Sequence, residues 1–278
     1  MITGLHAPNA SWTSEDRCRL RVSGLQAVEL MAPHTTEADV VQLRGLGVSY
    51  FLMRLPDSVE GATGRWKGDH EYANECIGYI KRFYPLGVRD YQLDNEPNLV
   101  WPEGEAHSWR FLLNLVVRLI RSSPDVPRDV RLGLAPLSWT PATWASVENV
   151  WIPQQRMIQD MHNFVCVHSY WQKGKHYNDP SFGGNVTHWH DSLLGSSRPY
   201  VITEWASSVH EVPGVTPQEA EALRIMQYPQ WLRWVAERTY QPAQGTSYVE
   251  SAFLYIVGGT TDWVGFHPSD KILRSLEI

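Results

Sequence analysis

Two acidic residues in this chain stand where an acid is costly to place unless it works. Asp90-Tyr91-Gln92-Leu93-Asp94-Asn95-Glu96-Pro97-Asn98 reads as a short buried strand that runs into a polar cluster, with Pro97 stopping further ladder pairing. Tyr200-Val201-Ile202-Thr203-Glu204-Trp205 repeats the form, an apolar strand that delivers one Glu at its end. Two carboxylates facing each other across a cleft suit cleavage of a glycosidic bond. One protonates the departing oxygen, while the other attacks the anomeric carbon or activates water. Held ~5 Å apart, they would pass through a covalent glycosyl intermediate and retain configuration.

The elements that would position them follow from the alternation of strand-like and helix-like segments. Strands are predicted at 2–6, 27–31, 48–55, the run ending in Glu96, 130–134, 164–168, 199–204 and 251–257. Helices are predicted from Ser14, which would serve as cap, from Thr36 to about Leu46, at 70–84, 105–122, within 141–163, at 184–195, from Thr216 to about Thr239, and in the tail. The Val48–Leu55 run is apolar nearly throughout, as a parallel strand covered on both faces should be. Eight βα units without a break in composition predict an α/β protein, a single (β/α)8 TIM barrel spanning residues 1–278. The rival, an open doubly wound sheet, would place a Gly-rich turn after the first strand, where Ala7-Pro8-Asn9-Ala10-Ser11 has no glycine.

In such a barrel the working groups sit at the C-terminal ends of the strands. Those ends carry His6, Arg54, Asn95 with Glu96, Ser138 with Trp139, His168 with Tyr170 and Trp171, Glu204 with Trp205, and a loop holding Asp262 and Trp263. Glu96 and Glu204 are the catalytic candidates. Asn95, His168, Tyr170, Arg54, His6, Trp205, Trp171, Trp139 and Trp263 are the substrate-binding ones, the indoles as platforms for sugar rings.

At these residues the chain resembles the clan A glycoside hydrolases, the retaining (β/α)8-barrel glycosidases. Asn95-Glu96-Pro97 is similar to that clan's Asn-Glu-Pro signature at the end of strand four, Ile202-Thr203-Glu204-Trp205 to its strand-seven segment, and His168-Ser169-Tyr170 to its His-x-Tyr element. The resemblance implies that Glu96 is the general acid/base and Glu204 the nucleophile. It also implies that Asn95 contacts the sugar 2-hydroxyl and that Tyr170 donates to the nucleophile. The clan often carries an Arg for the nucleophile at the end of strand two. Here strand two ends in Met31-Ala32-Pro33 and Arg54 ends strand three, so either Arg54 takes over that contact or the strand count is one too high. The usual strand-eight Trp is absent, with Tyr255 or Trp263 as substitutes. Glu96 is expected to stay protonated until it gives up its proton.

Composition fits a carbohydrate substrate. The chain has 278 residues, 43% apolar and 19% charged, with 13 Trp, 12 Tyr and only 7 Phe. A net charge of −6 argues against nucleic acid or an anionic membrane as partner, and no run of ~18 apolar residues is present. Cys18, Cys76 and Cys166 are too few for a disulfide framework, and no metal or other cofactor is expected. No signal peptide is visible, which leaves cytoplasm and secretion both open, as is the oligomeric state. Modest loops at 56–69, 98–106, 139–150 and 172–182 favour an open cleft for an oligo- or polysaccharide. Two other readings compete. A metal-dependent hydrolase would use His6, His168 and Asp94, but strand one lacks a His-x-His pair. A barrel that binds sugar without cutting it would gain little from two mutually repelling carboxylates.

Overall fold

Eight short strands pair in parallel, each with its neighbour in sequence, and the last closes on the first. The computed structural model describes residues 1–6, 13–60, 64–171, 186–196, 198–207, 212–237, 239–240, 247–255 and 268–276. The ladder runs β1 (Ile2–His6), β2 (Ala27–Met31), β3 (Tyr50–Arg54), β4 (Asp90–Gln92), β5 (Arg131–Leu134), β6 (Phe164–Trp171), β7 (Tyr200–Ser207) and β8 (Ser247–Leu254). Ile2 to Leu5 pair with Ser251 to Leu254 and close the ring. The two-residue strand Thr239–Tyr240 adds antiparallel to the start of β8. The fold is the (β/α)8 barrel that the alternation predicts, and the strand count of three to reach Arg54 is right.

The helices between strands are α1 (Ser14–Ser23), α2 (Glu37–Gly45), α3 (Asp69–Phe83), α4 (Ala106–Ser122), α5 (Ile152–Ile158), α6 (Val186–Leu194), α7 (Pro217–Glu237) and α8 (Asp270–Ser275). α2 begins at Thr36 as expected: Thr36 Oγ1 accepts from Asp39 N (3.2 Å), and the Asp39 carboxylate accepts from Thr36 N (2.9 Å). α1 is capped by Thr13 and not Ser14. Asp16 lies three residues after Thr13 and completes the same reciprocal pair, which Arg17, three after Ser14, cannot do.

Two cores result. The larger fills the space between ring and helices, while Ala27, Leu52, Phe164, Cys166, Val201 and Phe253 fill the ring's interior. Gly4 admits this packing, since a Cβ there would lie 2.7 Å from both Ala27 O and the Phe253 ring. Beneath, Arg131 holds Glu250 through two bonds of 2.8 and 2.6 Å and Asp90 at 3.1 Å. Asp90 also accepts from Tyr50 OH (2.6 Å).

Strand lengths depart from expectation at the mouth. β6 and β7 each run three residues further than predicted, and β4 stops at Gln92, four residues before Glu96. β7 carries an extra residue: Val167 pairs with Ile202, but His168 pairs with Glu204, which leaves Thr203 unpaired in that register. Val201 faces the ring interior, so strict alternation would turn Thr203 and Trp205 inward and Glu204 out. The bulge reverses the parity, so Glu204 points into the ring and Trp205 into the outer core.

Candidate active site

The exit of β4 is a strained turn held by one carboxylate. Asp94 and Glu96 both have positive φ, 59° and 42°, a region that non-glycine residues seldom occupy. Asp94 is fully buried. Its oxygens accept from Ser58 N (3.1 Å), Ser58 Oγ (2.8 Å), Trp109 Nε1 (2.9 Å) and Asn95 N (3.0 Å). These bonds offset the cost of the strained backbone and of a buried charge. They also commit Asp94 to the turn and away from His6 and His168, the partners a metal-dependent reading requires. Glu96 N then donates to Pro136 O (3.1 Å), which fixes where the next side chain emerges.

Glu96 and Glu204 are joined by one imidazole. His168 Nδ1 lies 2.9 Å from Glu96 Oε1, and its Nε2 lies 3.6 Å from Glu204 Oε1. The reach of those contacts plus one ring bounds the separation of the two oxygens at about 9 Å. Tyr170 OH donates to Glu204 Oε2 (2.6 Å). Arg54 Nη1 donates to Glu204 Oε1 at 3.4 Å, and its Nη2 lies 3.5 Å from Asp57. His6 Nε2 stands 3.7 Å from Glu204 Oε1 and 3.9 Å from Glu29 Oε1. Tyr255, just past β8, faces both His6 (ring centroids 5.1 Å apart) and Tyr170 (5.6 Å, edge to face).

The charges follow from this packing. Burial pushes the Glu96 carboxyl up, but the His168 charge and the hydrogen bonds from His168 and Ser138 outweigh it and hold Glu96 below its ordinary value. Burial pushes the His168 imidazole down, yet the Glu204 and Glu96 charges raise it above its ordinary value. The contact thus favours the proton on His168 over Glu96, the opposite direction from the expectation that Glu96 holds it. The cause is a neighbour able to hold the proton. Beneath the site, burial raises the Glu29 carboxyl well above its ordinary value, and the Glu204 charge raises it further.

Several indoles expected as sugar platforms are turned elsewhere. Trp171 and Trp205 are fully buried and parallel, 6.2 Å apart. Trp231 and Tyr228 of α7 close over Trp205 at 4.6 and 4.8 Å. Each follows an inward-facing residue, Tyr170 or Glu204, so alternation sends it outward. Trp139 is 5% exposed and packs edge-on to Trp144 (4.8 Å), behind the mouth. Asn95 is half-buried beside Glu96, its Oδ1 accepting from Gln92 Nε2 (3.3 Å). Trp263, with Asp262, lies outside the described residues, as does the 172–182 loop.

Two residues, Asn98 and Glu29, went unread in the sequence, and Ser138, placed at a strand end, was given no role. Asn98 grips the backbone of Ser138 from both sides: Nδ2 donates to Ser138 O (3.0 Å), and Oδ1 accepts from Ser138 N (2.9 Å). Ser138 in turn bonds Glu96, so Asn98 sets the acid's partner. The signal for Glu29 was present: an acid in the middle of the apolar strand Ala27-Val28-Glu29-Leu30-Met31.

No family model and no curated protein matches this chain by sequence. Solved structures do share its fold. A GH128 (subgroup I) endo-beta-1,3-glucanase from Amycolatopsis mediterranei, in complex with laminaritriose and laminaribiose, is 13% identical, with 99% of this chain and 98% of that chain covered and a TM-score of 0.56. ScGas2 is 12% identical, with 99% of this chain and 63% of that chain covered and a TM-score of 0.55. A GH2 beta-galacturonidase from Eisenbergiella tayi is 13% identical, with 91% of this chain and 42% of that chain covered and a TM-score of 0.58. The fold is thus one that glycoside hydrolases use, as the Asn-Glu-Pro resemblance implied.

Proposed function

We propose that this protein is a retaining glycoside hydrolase acting on β-linked glucan, with Glu204 as nucleophile and Glu96 as acid/base. The observation that carries the reading is His168, a single imidazole in contact with both carboxylates at the C-terminal mouth of the barrel. The laminari-oligosaccharides bound in the GH128 neighbours favour a β-1,3-linked substrate.

In the first step Glu204 attacks the anomeric carbon, the bond to the leaving oxygen breaks, and Glu96 gives that oxygen a proton. The proton rests on His168 and crosses the 2.9 Å contact to Glu96 as the leaving group takes it. Tyr170 fixes Glu204 Oε2, and Arg54 offsets the charge of the carboxylate before attack. In the second step Glu96 takes a proton from water, the hydroxyl displaces Glu204, and the proton returns to His168. Asn95, beside Glu96, is in reach of the sugar 2-hydroxyl.

The test is turnover of aryl β-glucosides and laminari-oligosaccharides. Glu204→Ala should lose at least about a thousandfold in kcat, and azide should restore turnover with an α-glycosyl azide as product. In Glu96→Ala, azide should instead yield the β-azide. Full activity in Glu204→Ala would remove it as nucleophile. A wild-type protein that binds these sugars and cleaves none would be the non-catalytic binder.

A further inference from the structure

The loop after β3 and the turn after Glu96 meet in a pair of stacked indoles that the chemistry above does not use. Ser58–Glu60 and Arg65–Lys67 form a small hairpin: Glu60 N donates to Arg65 O and Lys67 N to Ser58 O, both at 2.9 Å. Trp66 sits on it, paired with Val59. Its ring lies on Trp101 with centroids 4.3 Å apart and planes 19° from parallel. Trp101 is 5% exposed, whereas Trp66 is 39% exposed. Trp101 therefore backs one face of the Trp66 ring, and much of Trp66 is left to solvent.

The stack is wired to the centre of the site from both sides. Trp101 Nε1 donates to Ser58 Oγ (3.0 Å), and Ser58 Oγ donates to Asp94, the carboxylate that holds the Glu96 turn. Ser58 follows Asp57, whose carboxylate lies 3.5 Å from the Arg54 that reaches Glu204. Between Glu96 and Trp101, Leu99 and Val100 are also exposed. An apolar surface at a strand-end rim, backed by a second ring, with the half-exposed Asp57 carboxylate at the foot of the same hairpin, has the chemistry that receives a pyranose: C–H bonds on the aromatic face, hydroxyls on the acid.

We propose that Trp66, stacked on Trp101, is a platform for a sugar ring of the substrate chain other than the one bonded at the anomeric carbon, with Asp57 accepting from its hydroxyls. This deepens the glycosidase reading and rests on it for the identity of the sugar. It makes the protein a reader of chain length, tuned to oligosaccharides.

The test separates binding from turnover. In a Glu96→Gln background, calorimetric affinity for laminari-oligosaccharides should rise with chain length. Trp66→Ala should flatten that rise, weakening the longest ligand about tenfold more than the shortest, and Trp66→Phe should restore most of it. Equal weakening at every length, or none, would overturn the platform, and so would failure to bind any of the series. Hydrolysis of the same series by wild type is scored separately. Length-dependent binding without cleavage would keep the platform and discard the glycosidase.

Discussion

His168 touches two carboxylates with one ring, and that contact decides where the site's mobile proton rests. The imidazole is held above its ordinary value of about 6.5 by Glu204 and Glu96, while Glu96 is held below its own. If the pair must carry one proton to serve as general acid, kcat/KM should fall on the alkaline side only as His168 deprotonates, above pH ~6.5. His168→Gln removes that reservoir, and burial then raises Glu96, which must hold the proton alone. The alkaline limb should move to lower pH, toward a carboxyl value. A limb that stays in place in a pH–rate profile of His168→Gln would mean that the proton never resides on the ring. His168, Tyr170 and Arg54 were readable beforehand because each stands at the C-terminal end of a barrel strand, where the mouth collects its side chains. Asn98 was not, since a side chain that grips backbone leaves no trace in residue type or spacing.

At the scale of elements, β7 and α7 are fitted to one another. The extra residue at Thr203 turns Glu204 inward and throws Trp205 out against Trp231 and Tyr228. The end of β7 is then tied down, with Arg224 Nη2 donating to Ser207 O (2.9 Å) and Ser207 N to Tyr228 OH (3.1 Å). Trp231→Ala should open a cavity against Trp171 and Trp205 and cost ~3–5 kcal/mol in urea unfolding. A loss under ~1 kcal/mol would mean that the cluster collapses without penalty. Strands and helices were legible because apolar runs and the Thr36 cap depend on local chemistry. The outward turn of Trp171 and Trp205 was missed, since both were expected as sugar platforms although each follows an inward-facing residue. The bulge was not legible, because a register shift is a property of two paired strands and the residues of one strand alone do not encode it.

Across the whole molecule, two fully buried imidazoles outside the site bear on acid stability. Burial lowers His162 to about 4, with Nδ1 on Ile158 O, and lowers His190 to about 3, with Nε2 on Gln155. Both titrate near 6.5 once unfolded, so the unfolded chain binds the extra protons between pH ~6.5 and those lower values. The contribution of these two histidines to stability should therefore decline as pH falls through that window, by on the order of a few kcal/mol, and level off below it. Thermal unfolding against pH should show a shallower decline in His162→Gln than in wild type, and an unchanged slope would contradict the assignment. The barrel itself was the most legible feature, since eight βα units leave few alternatives to closure. The floor that joins Arg131, Asp90, Glu250 and Tyr50 was invisible because its members lie far apart along the chain.

Ring closure has a temporal side. Ile2 to Leu5 find their second partner only in Ser251 to Leu254, so a nascent polypeptide leaving the ribosome must hold its first strand unsealed through most of translation. Until that seam zips, His6 has no wall on the Tyr255 side and the mouth is a half-open crescent. The mouth of the ring should therefore assemble late, with the eighth strand and at the slow pace of contacts between distant segments.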